Sequence, residues 1–384
     1  MDILQPKYDV AIVGGGLAGL ACAIRLRKGG NSVVLFEKEA FPFHRVCGEY
    51  ISMESWDFLK QLGVPLDSMN LPKIDTLQLT APKGTSFTTP LPLGGFGISR
   101  YTLDALLAAK AKEWGVHLLE ETKVEEVVFN GDHTVSFTTK GGGRQEVNAM
   151  VCCAAWGKRS NLDVKWNRSF LSRQDKRLQN FVGIKYHLKA DWPASTIGLH
   201  NFKDGYCGIS RIEEGKYCLC YMVKADELKS RQGDIKRLER EVLSGNPHLK
   251  KLLAESGVLE GFPVTISQIN FSPKTLVENH VLMIGDAAGM ITPLCGNGMS
   301  IALHTGKIAS DKIHHFLAGK TDRDTMERDY AREWKGQFAA RLRRGRWLQW
   351  FFGSTGLSNA FVGAFKRFPF LASPVIRSTH GNLF

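Results

Sequence analysis

The residue types best suited to chemistry fall into two glycine-rich clusters at opposite ends of a 384-residue chain. In the first, Gly14, Gly16 and Gly19 stand at G-x-G-x-x-G spacing, with Gly15, Leu17 and Ala18 between them. Such glycines permit a tight turn, a close backbone approach to a pyrophosphate, and close packing of helix on strand. Glu37, followed by Lys38, lies near the offset at which an acidic side chain meets a ribose hydroxyl pair. In the second cluster, Gly285-Asp286-Ala-Ala-Gly289 leads to Pro293, Gly296, Asn297, Gly298 and Met299. Asp286 can accept hydrogen bonds from sugar or ribitol hydroxyls. Bare N–H groups at Gly296 and Gly298, just before a helix, suit a second anionic or electron-rich group.

Those clusters need strands and helices to aim them. Asp9 to Val13 is a short apolar run of the kind that makes a strand buried on both faces, Leu17 to Lys28 reads as a helix, and Ser32 to Phe36 as the returning strand. Together they make a βαβ unit of about 30 residues, whose helix points its N-terminal N–H groups at the glycines and predicts dinucleotide binding. Val281 to Ile284 is another buried strand, followed by a helix from Met299 to about Leu317. Between the clusters, residues 40–52 (AFPFHRVCGEYIS) read as an irregular loop packed on something flat and apolar. Arg45 in this loop is either a phosphate or adenine contact or a surface cation. Arg100 opens a helix, where the dipole disfavours a cation, so an external anion is a reasonable explanation for it. Met53 to Leu62 reads as helical and 73–98 as two strands of a small sheet. From about 165 to 275 the alternation is of strand type, an antiparallel sheet with one apolar face, followed by one charged helix over roughly 226–255. The crevice between two such walls is the default substrate pocket.

Composition narrows the partners. A net charge of +12 and a pI near 9.3 suit nucleic acid, an anionic membrane surface or an acidic carrier protein. No base-reading module such as a zinc finger is present, which argues against nucleic acid. The eight cysteines show no C-x-x-C pair and no zinc spacing, so the expectation is buried free thiols and no metal, with Cys47 as the exception. No stretch reaches the roughly 18 apolar residues of a membrane span. The first residues lack a basic-then-apolar secretory signal, so a cytoplasmic location is expected. Near the C-terminus, Arg341 to Arg346 abut Trp347, Leu348, Trp350, Phe351 and Phe352, a segment suited either to peripheral membrane or greasy-substrate contact or to docking on the second domain.

Taken together, these motifs resemble the FAD-dependent oxidoreductases of the aromatic-hydroxylase type, and within them the geranylgeranyl reductase and halogenase side. The resemblance covers nearly the whole chain, and the G-D-A-A-G-x-x-x-P-x-x-G-x-G spacing is its most specific part. It implies an α/β fold: a Rossmann-like FAD-binding domain (GR2-type) made of residues 1–72, 98–160 and 276–325, an inserted, mainly antiparallel substrate domain of 73–97 and 161–275, and a C-terminal helical segment, 326–384. It implies FAD, bound tightly but not covalently; since no second G-x-G-x-x-G unit exists, NAD(P)H would visit transiently as electron donor or a separate reductase would supply the electrons. Arg100 would reach the cofactor, Val124 would contact adenine through its backbone, Asp286 would bind ribitol, and Pro293 with Gly296 to Met299 would face the flavin edge. Cys47-Gly48-Glu49 resembles the C-G-E or C-G-G of the reductases, which would place Cys47 and Glu49 near the ring as catalytic candidates. Three departures stand out. Trp156-Gly157 replaces the hydroxylases' D-G pair, the halogenase W-x-W-x-I-P is missing, and so is the reductase P-x-x-Y-x-W-x-F-P. The reaction expected is hydroxylation of an apolar substrate, free or on a carrier protein, ahead of C=C reduction; an electron-carrier or binding module is the reading of another class.

Overall fold

The computed structural model describes residues 5, 7–172, 180–292, 296–351, 354–379 and 381–384. Strand β1 (Lys7–Val13) buries Val10, Ala11 and Ile12 completely, as a strand covered on both faces must. The chain turns at Gly14, where φ is +111° and a β-carbon would lie 2.4 Å from the Ala155 carbonyl oxygen. It then enters α1 (Leu17–Lys28) and returns along β2 (Val33–Phe36), parallel to β1.

From there β3 (Tyr50–Ser52), α2 (Trp56–Gln61), β4 (Lys73–Thr80) and β5 (Ser86–Gly97) leave the first layer. Helix α3 (Arg100–Glu113) leads back to it, its start fixed by the Ser99 hydroxyl accepting the Thr102 N–H. Strands β6 (His117–Leu119), β7 (Thr122–Asn130), β8 (Asp132–Thr139) and β9 (Arg144–Ala154) follow, then α4 (Asn161–Lys165). Strands β10 (Phe181–Lys189), β11 (Thr196–Phe202), β12 (Gly205–Arg211) and β13 (Tyr217–Lys224) build most of the second layer.

The charged stretch expected as one helix is three: α5 (Ala225–Lys229), α6 (Ile235–Glu241) and α7 (Pro247–Glu255). Gly233, at φ +81°, breaks the first join, and Pro247 fits only a first helical turn and so forces a new start. After β14 (Gly257–Val258), β15 (Val264–Ile269), β16 (Val277–Glu278) and β17 (Val281–Met283) come four helices: α8 (Gly298–Leu317), α9 (Arg323–Phe351), α10 (Thr355–Arg367) and α11 (Ala372–Thr379).

Among the described residues these strands form two sheets. The eight-stranded one runs β16-β17-β9-β1-β2-β6, with β8 joining β9 and β7 joining β8, and is parallel from β17 to β6. The nine-stranded one runs β14-β10-β13-β12-β11-β4-β5-β3, with β15 beside β10, and is antiparallel except between β11 and β4. The fold is therefore mixed α/β: a Rossmann-like layer, a mainly antiparallel second sheet and C-terminal helices.

Packing follows from which faces are apolar. Helix α8 lies on α1, and α9 covers α8 with Tyr330, Trp334 and Phe338 in the first core. On the second sheet, Ile184, Tyr186 and Leu188 of β10 meet Leu238 and Leu249 of α6 and α7, closing its outer face. Helices α10 and α11 pack Val362, Phe365, Ala372 and Ile376 onto Leu77, Leu79 and Phe87.

Candidate functional site

The first glycine cluster is open where a ligand would need it and closed elsewhere. A β-carbon on Gly16 would meet nothing within 4 Å, whereas one on Gly19 would lie 2.1 Å from the Gly14 carbonyl oxygen. Leu17 and Ala18 are buried at the helix start. The Gly15 N–H donates to Glu37 Oε2 at 2.9 Å, Arg45 Nη2 donates to the same oxygen at 2.9 Å, and the Glu39 N–H donates to Oε1 at 3.1 Å. A carboxylate offers roughly four acceptor positions, so one remains for a ligand hydroxyl. Lys38 is exposed and lies 3.6 Å from Glu39.

Arg45 also reaches Asp104 Oδ2 at 3.1 Å, and Arg100 holds Asp104 through both Nε and Nη2 at 2.7 Å. Asp104 is buried one turn along the helix that Arg100 opens. An internal carboxylate, rather than the expected external anion, therefore accounts for a cation at that helix start. Val124 is half-buried at an irregularity in β7, packed on the first core.

The second cluster lies against the first. A β-carbon on Gly285 would sit 3.0 Å from that of Ala18, and one on Gly306 would sit 2.5 Å from the Ala18 carbonyl oxygen, so α1 and α8 cross at near-backbone contact. Gly298, the first residue of α8, has only Ile291 near its β-carbon position, at 3.7 Å, while Gly296, at φ +65°, faces the Tyr50 ring at 3.2 Å. Asn297 precedes the helix as its cap residue and Met299 is buried in the core; Pro293 lies outside the described residues.

Burial pushes the Asp286 carboxyl above its usual 3.8, against the charges of Lys274, Arg100 and Lys158. Burial also pulls Lys274 and Lys158 down to about 8. Lys274 Nζ donates to the carbonyl oxygens of Lys158 and Asp286, both at 2.7 Å. The residues thus fit an extended dinucleotide: two helix N-termini side by side, bare glycine at Gly16 and Gly298 where a side chain would fill the space, and a carboxylate at Asp286.

Three consecutive loop residues hang from one row of the second sheet. Cys218 Sγ donates to the Cys47 carbonyl oxygen at 3.2 Å, Ser210 Oγ to that of Gly48 at 3.2 Å, and His187 Nε2 lies 2.6 Å from Glu49 Oε2. His187, Cys218 and Ser210 are direct cross-strand partners on β10, β13 and β12. Lys185 Nζ reaches Glu49 Oε1 at 2.5 Å, and the Arg100 N–H donates to the same oxygen at 2.8 Å. These bonds hold Glu49 at φ +55°, a conformation few non-glycine residues adopt.

Although burial alone would raise it, the hydrogen bond from His187 and the charge of Lys185 keep the Glu49 carboxyl below its usual 4.5. Being ionised, Glu49 can only accept, so His187 Nε2 must carry the proton. Burial pushes the Cys47 thiol up, which keeps it protonated at neutral pH. Glu49, His187 and Cys218 place one ligand atom each within 4.8 Å of one another, but Lys185 and the Arg100 N–H occupy the carboxylate and burial pushes the Cys218 thiol far up. We read the cluster as a buried ion-pair network.

The neighbouring row contains Leu199, Gly208, Cys220 and Lys185, paired across β11, β12, β13 and β10. Leu199, Gly208 and Cys220 are half-buried, alone among the interior positions of β11, β12 and β13, so the wall opens there. The reading of β10 as a strand did not reveal Lys185 and His187. The available signal was polar residues at every second position, Lys185 and His187 on one strand and Cys218 and Cys220 on its partner.

Trp156, in place of the hydroxylases' aspartate, donates its indole N–H to Asp163 Oδ1 at 3.1 Å, and Asp163 also binds the buried Arg168 at 2.7 Å. The basic and aromatic run near the C-terminus is divided: Arg341 is buried against Glu54 at 3.1 Å, Leu348 is buried, and Trp347 is exposed. The side chains of Trp350, Phe351 and Phe352 lie outside the described residues. Among the described residues no helix is long and apolar enough to cross a membrane.

Three relatives illustrate the range of similar proteins. Conditioned medium factor receptor 1 of Dictyostelium discoideum is 24% identical over 79% of this chain, which spans 62% of that protein's length. A 1H-pyrrole-2-carbonyl-[peptidyl-carrier protein] brominase of Pseudoalteromonas luteoviolacea is 25% identical over 98% of this chain and 93% of its own. Digeranylgeranylglycerophospholipid reductase 2 of Methanothermobacter thermautotrophicus is 25% identical over 88% and 86%. The solved structure of a flavin-dependent brominase superposes with a TM-score of 0.79 at 23% identity, covering 98% of this chain and 94% of that one. Residues 7–341 match the family model described as FAD binding domain. The chain belongs to that family and is an FAD-dependent oxidoreductase.

Proposed function

We propose that the protein hydroxylates an apolar small molecule, using NAD(P)H as a visiting electron donor and oxygen as co-substrate. The balance is substrate C–H + O2 + NAD(P)H + H⁺ giving substrate C–OH + H2O + NAD(P)⁺. FAD, when bound, would supply the hydride- and electron-transfer chemistry. The residues that would hold it are those of the two glycine clusters, with Glu37 and Asp286 toward its hydroxyls. The observation that carries the substrate class is the half-buried row Leu199, Gly208 and Cys220, a small and apolar opening in a sheet whose loop carries Cys47 and Glu49. Beside it, Lys185, Glu49 and His187 fix that loop and keep water from their charges, so the wall stays rigid while the substrate is oriented.

A second reading, reduction of a C=C bond by NAD(P)H, is favoured by the fixed Cys47-Gly48-Glu49 loop. The proposed setting is the cytoplasm, with the substrate free or on an acidic carrier protein.

Turnover of apolar aromatic and polyene candidates under heavy-isotope oxygen tests this reading. One labelled oxygen atom in the product is the expected result. Anaerobic NAD(P)H oxidation that saturates a double bond would establish the reductase instead. A halogenated product, or electron delivery to an acceptor protein with no small substrate, would overturn both.

A further inference from the structure

At the join between α10 and α11 six consecutive residues are exposed: Lys366, Arg367, Phe368, Pro369, Phe370 and Leu371. The fractional exposures of Phe368, Phe370 and Leu371 are 49%, 71% and 41%, high for side chains whose transfer out of water is favourable. The tip is nevertheless held firmly. Immediately before it, Phe365 packs on Phe87 of β5 at 5.7 Å between ring centroids, and just after it Ala372 and Ile376 are buried in the same cluster. Two aromatic rings and a leucine therefore project from a fixed base.

Along the sequence, the charge of this C-terminal stretch has one sign. No Asp or Glu follows Glu333, while eight Lys and Arg do. Among the described residues Arg341 alone of these is spent on a buried carboxylate, Glu54, and Arg343, Arg344, Lys366, Arg367 and Arg377 are exposed. Apolar tips flanked by cations are what an anionic lipid surface takes up, the rings entering the acyl boundary and the cations staying at the headgroups. A protein partner would need a shaped cavity for a protruding tip, whereas a fluid interface needs none. The sequence suggests the Arg341–Phe352 run for such a contact, and Trp347 within it is exposed; the Lys366–Leu371 tip lies some 20 residues further on.

We propose that the Lys366–Leu371 tip docks the protein peripherally on an anionic lipid surface. The same hairpin packs on β11, the strand carrying Leu199, so docking sets the lipid phase beside the open row of the second sheet. The proposal is independent of the reaction catalysed, since it is read without substrate.

The test is co-sedimentation of the full chain with vesicles of phosphatidylcholine alone and of an equal mixture with phosphatidylglycerol. Binding to the mixed vesicles only, weakening with salt, is expected. The exposed-site variant Phe368→Ser/Phe370→Ser should keep its flavin and its melting temperature and lose vesicle binding, and each of Lys366→Ala and Arg367→Ala should weaken binding about fivefold. Failure of the wild-type protein to pellet with the mixed vesicles would overturn the proposal. So would pelleting that the double phenylalanine variant retains, or a tip that binds an acidic carrier protein and not vesicles.

Discussion

The Lys185 ammonium lies 2.5 Å from Glu49 Oε1, and neither side chain reaches solvent. Taking one partner away from such a pair leaves the other buried and uncompensated, a loss of about 3–5 kcal/mol. Lys185→Met should therefore unfold at markedly lower denaturant. The double variant Lys185→Met/Glu49→Gln should recover part of that loss, because no bare charge is left inside. Urea titration of the two variants against wild type checks both statements, and equal loss in both would show that packing, not charge, is at stake.

The same carboxylate predicts acid sensitivity. Burial opposes its ionisation, but the His187 hydrogen bond and the Lys185 charge leave its folded value below the usual 4.5. A depressed acid contributes stability that is fully present above its unfolded value and is lost as pH falls through the folded one. Wild type should lose stability on acidification below about pH 4.5, and Glu49→Gln should show a shallower decline over that interval in melting curves.

Gly16 and Gly306 should fail in different ways. Gly16→Val adds a side chain to open space, so the fold should persist with unchanged melting temperature while flavin is excluded. Gly306→Val drives a side chain onto the Ala18 carbonyl and should part α1 from α8, costing about 1–3 kcal/mol as well as flavin. Absorbance of the purified proteins and thermal melts separate the two.

Lys158 and Lys274, pulled down to about 8, give an alkaline prediction. In the folded chain they lose their protons near pH 8, whereas in the unfolded chain they hold them to the usual 10.5, so these groups make folding more favourable as pH rises between the two. Affinity for an anionic ligand moves the opposite way, since two positive charges near Asp286 disappear. Flavin release should therefore increase from pH 7 to 9 without unfolding, and Lys274→Met should flatten the dependence; fluorescence of released flavin measures it.

The glycine clusters could be read from sequence because local physics sets their spacing: a turn, a helix start and a close approach all fall within a few residues. The Glu49 network could not. Lys185 and His187 lie 136 and 138 residues from Glu49, and polar side chains alternating on a strand are the pattern of a solvent-facing edge. Arg341 lies in a basic run whose sequence leaves surface contact and docking both open, and only Glu54, 287 residues away, draws it inside. Arg100 needed the opposite correction, because its partner Asp104 is a single turn along.

Strand β9 is bonded to β1 on one side and β17 on the other, so both halves of the dinucleotide cradle hang from one rib. During synthesis the first half emerges within the opening 40 residues, while the second waits for residues 281–317. A nascent polypeptide can thus acquire lasting yellow colour only once residues 281–317 have left the ribosome, and products terminated before them should be colourless.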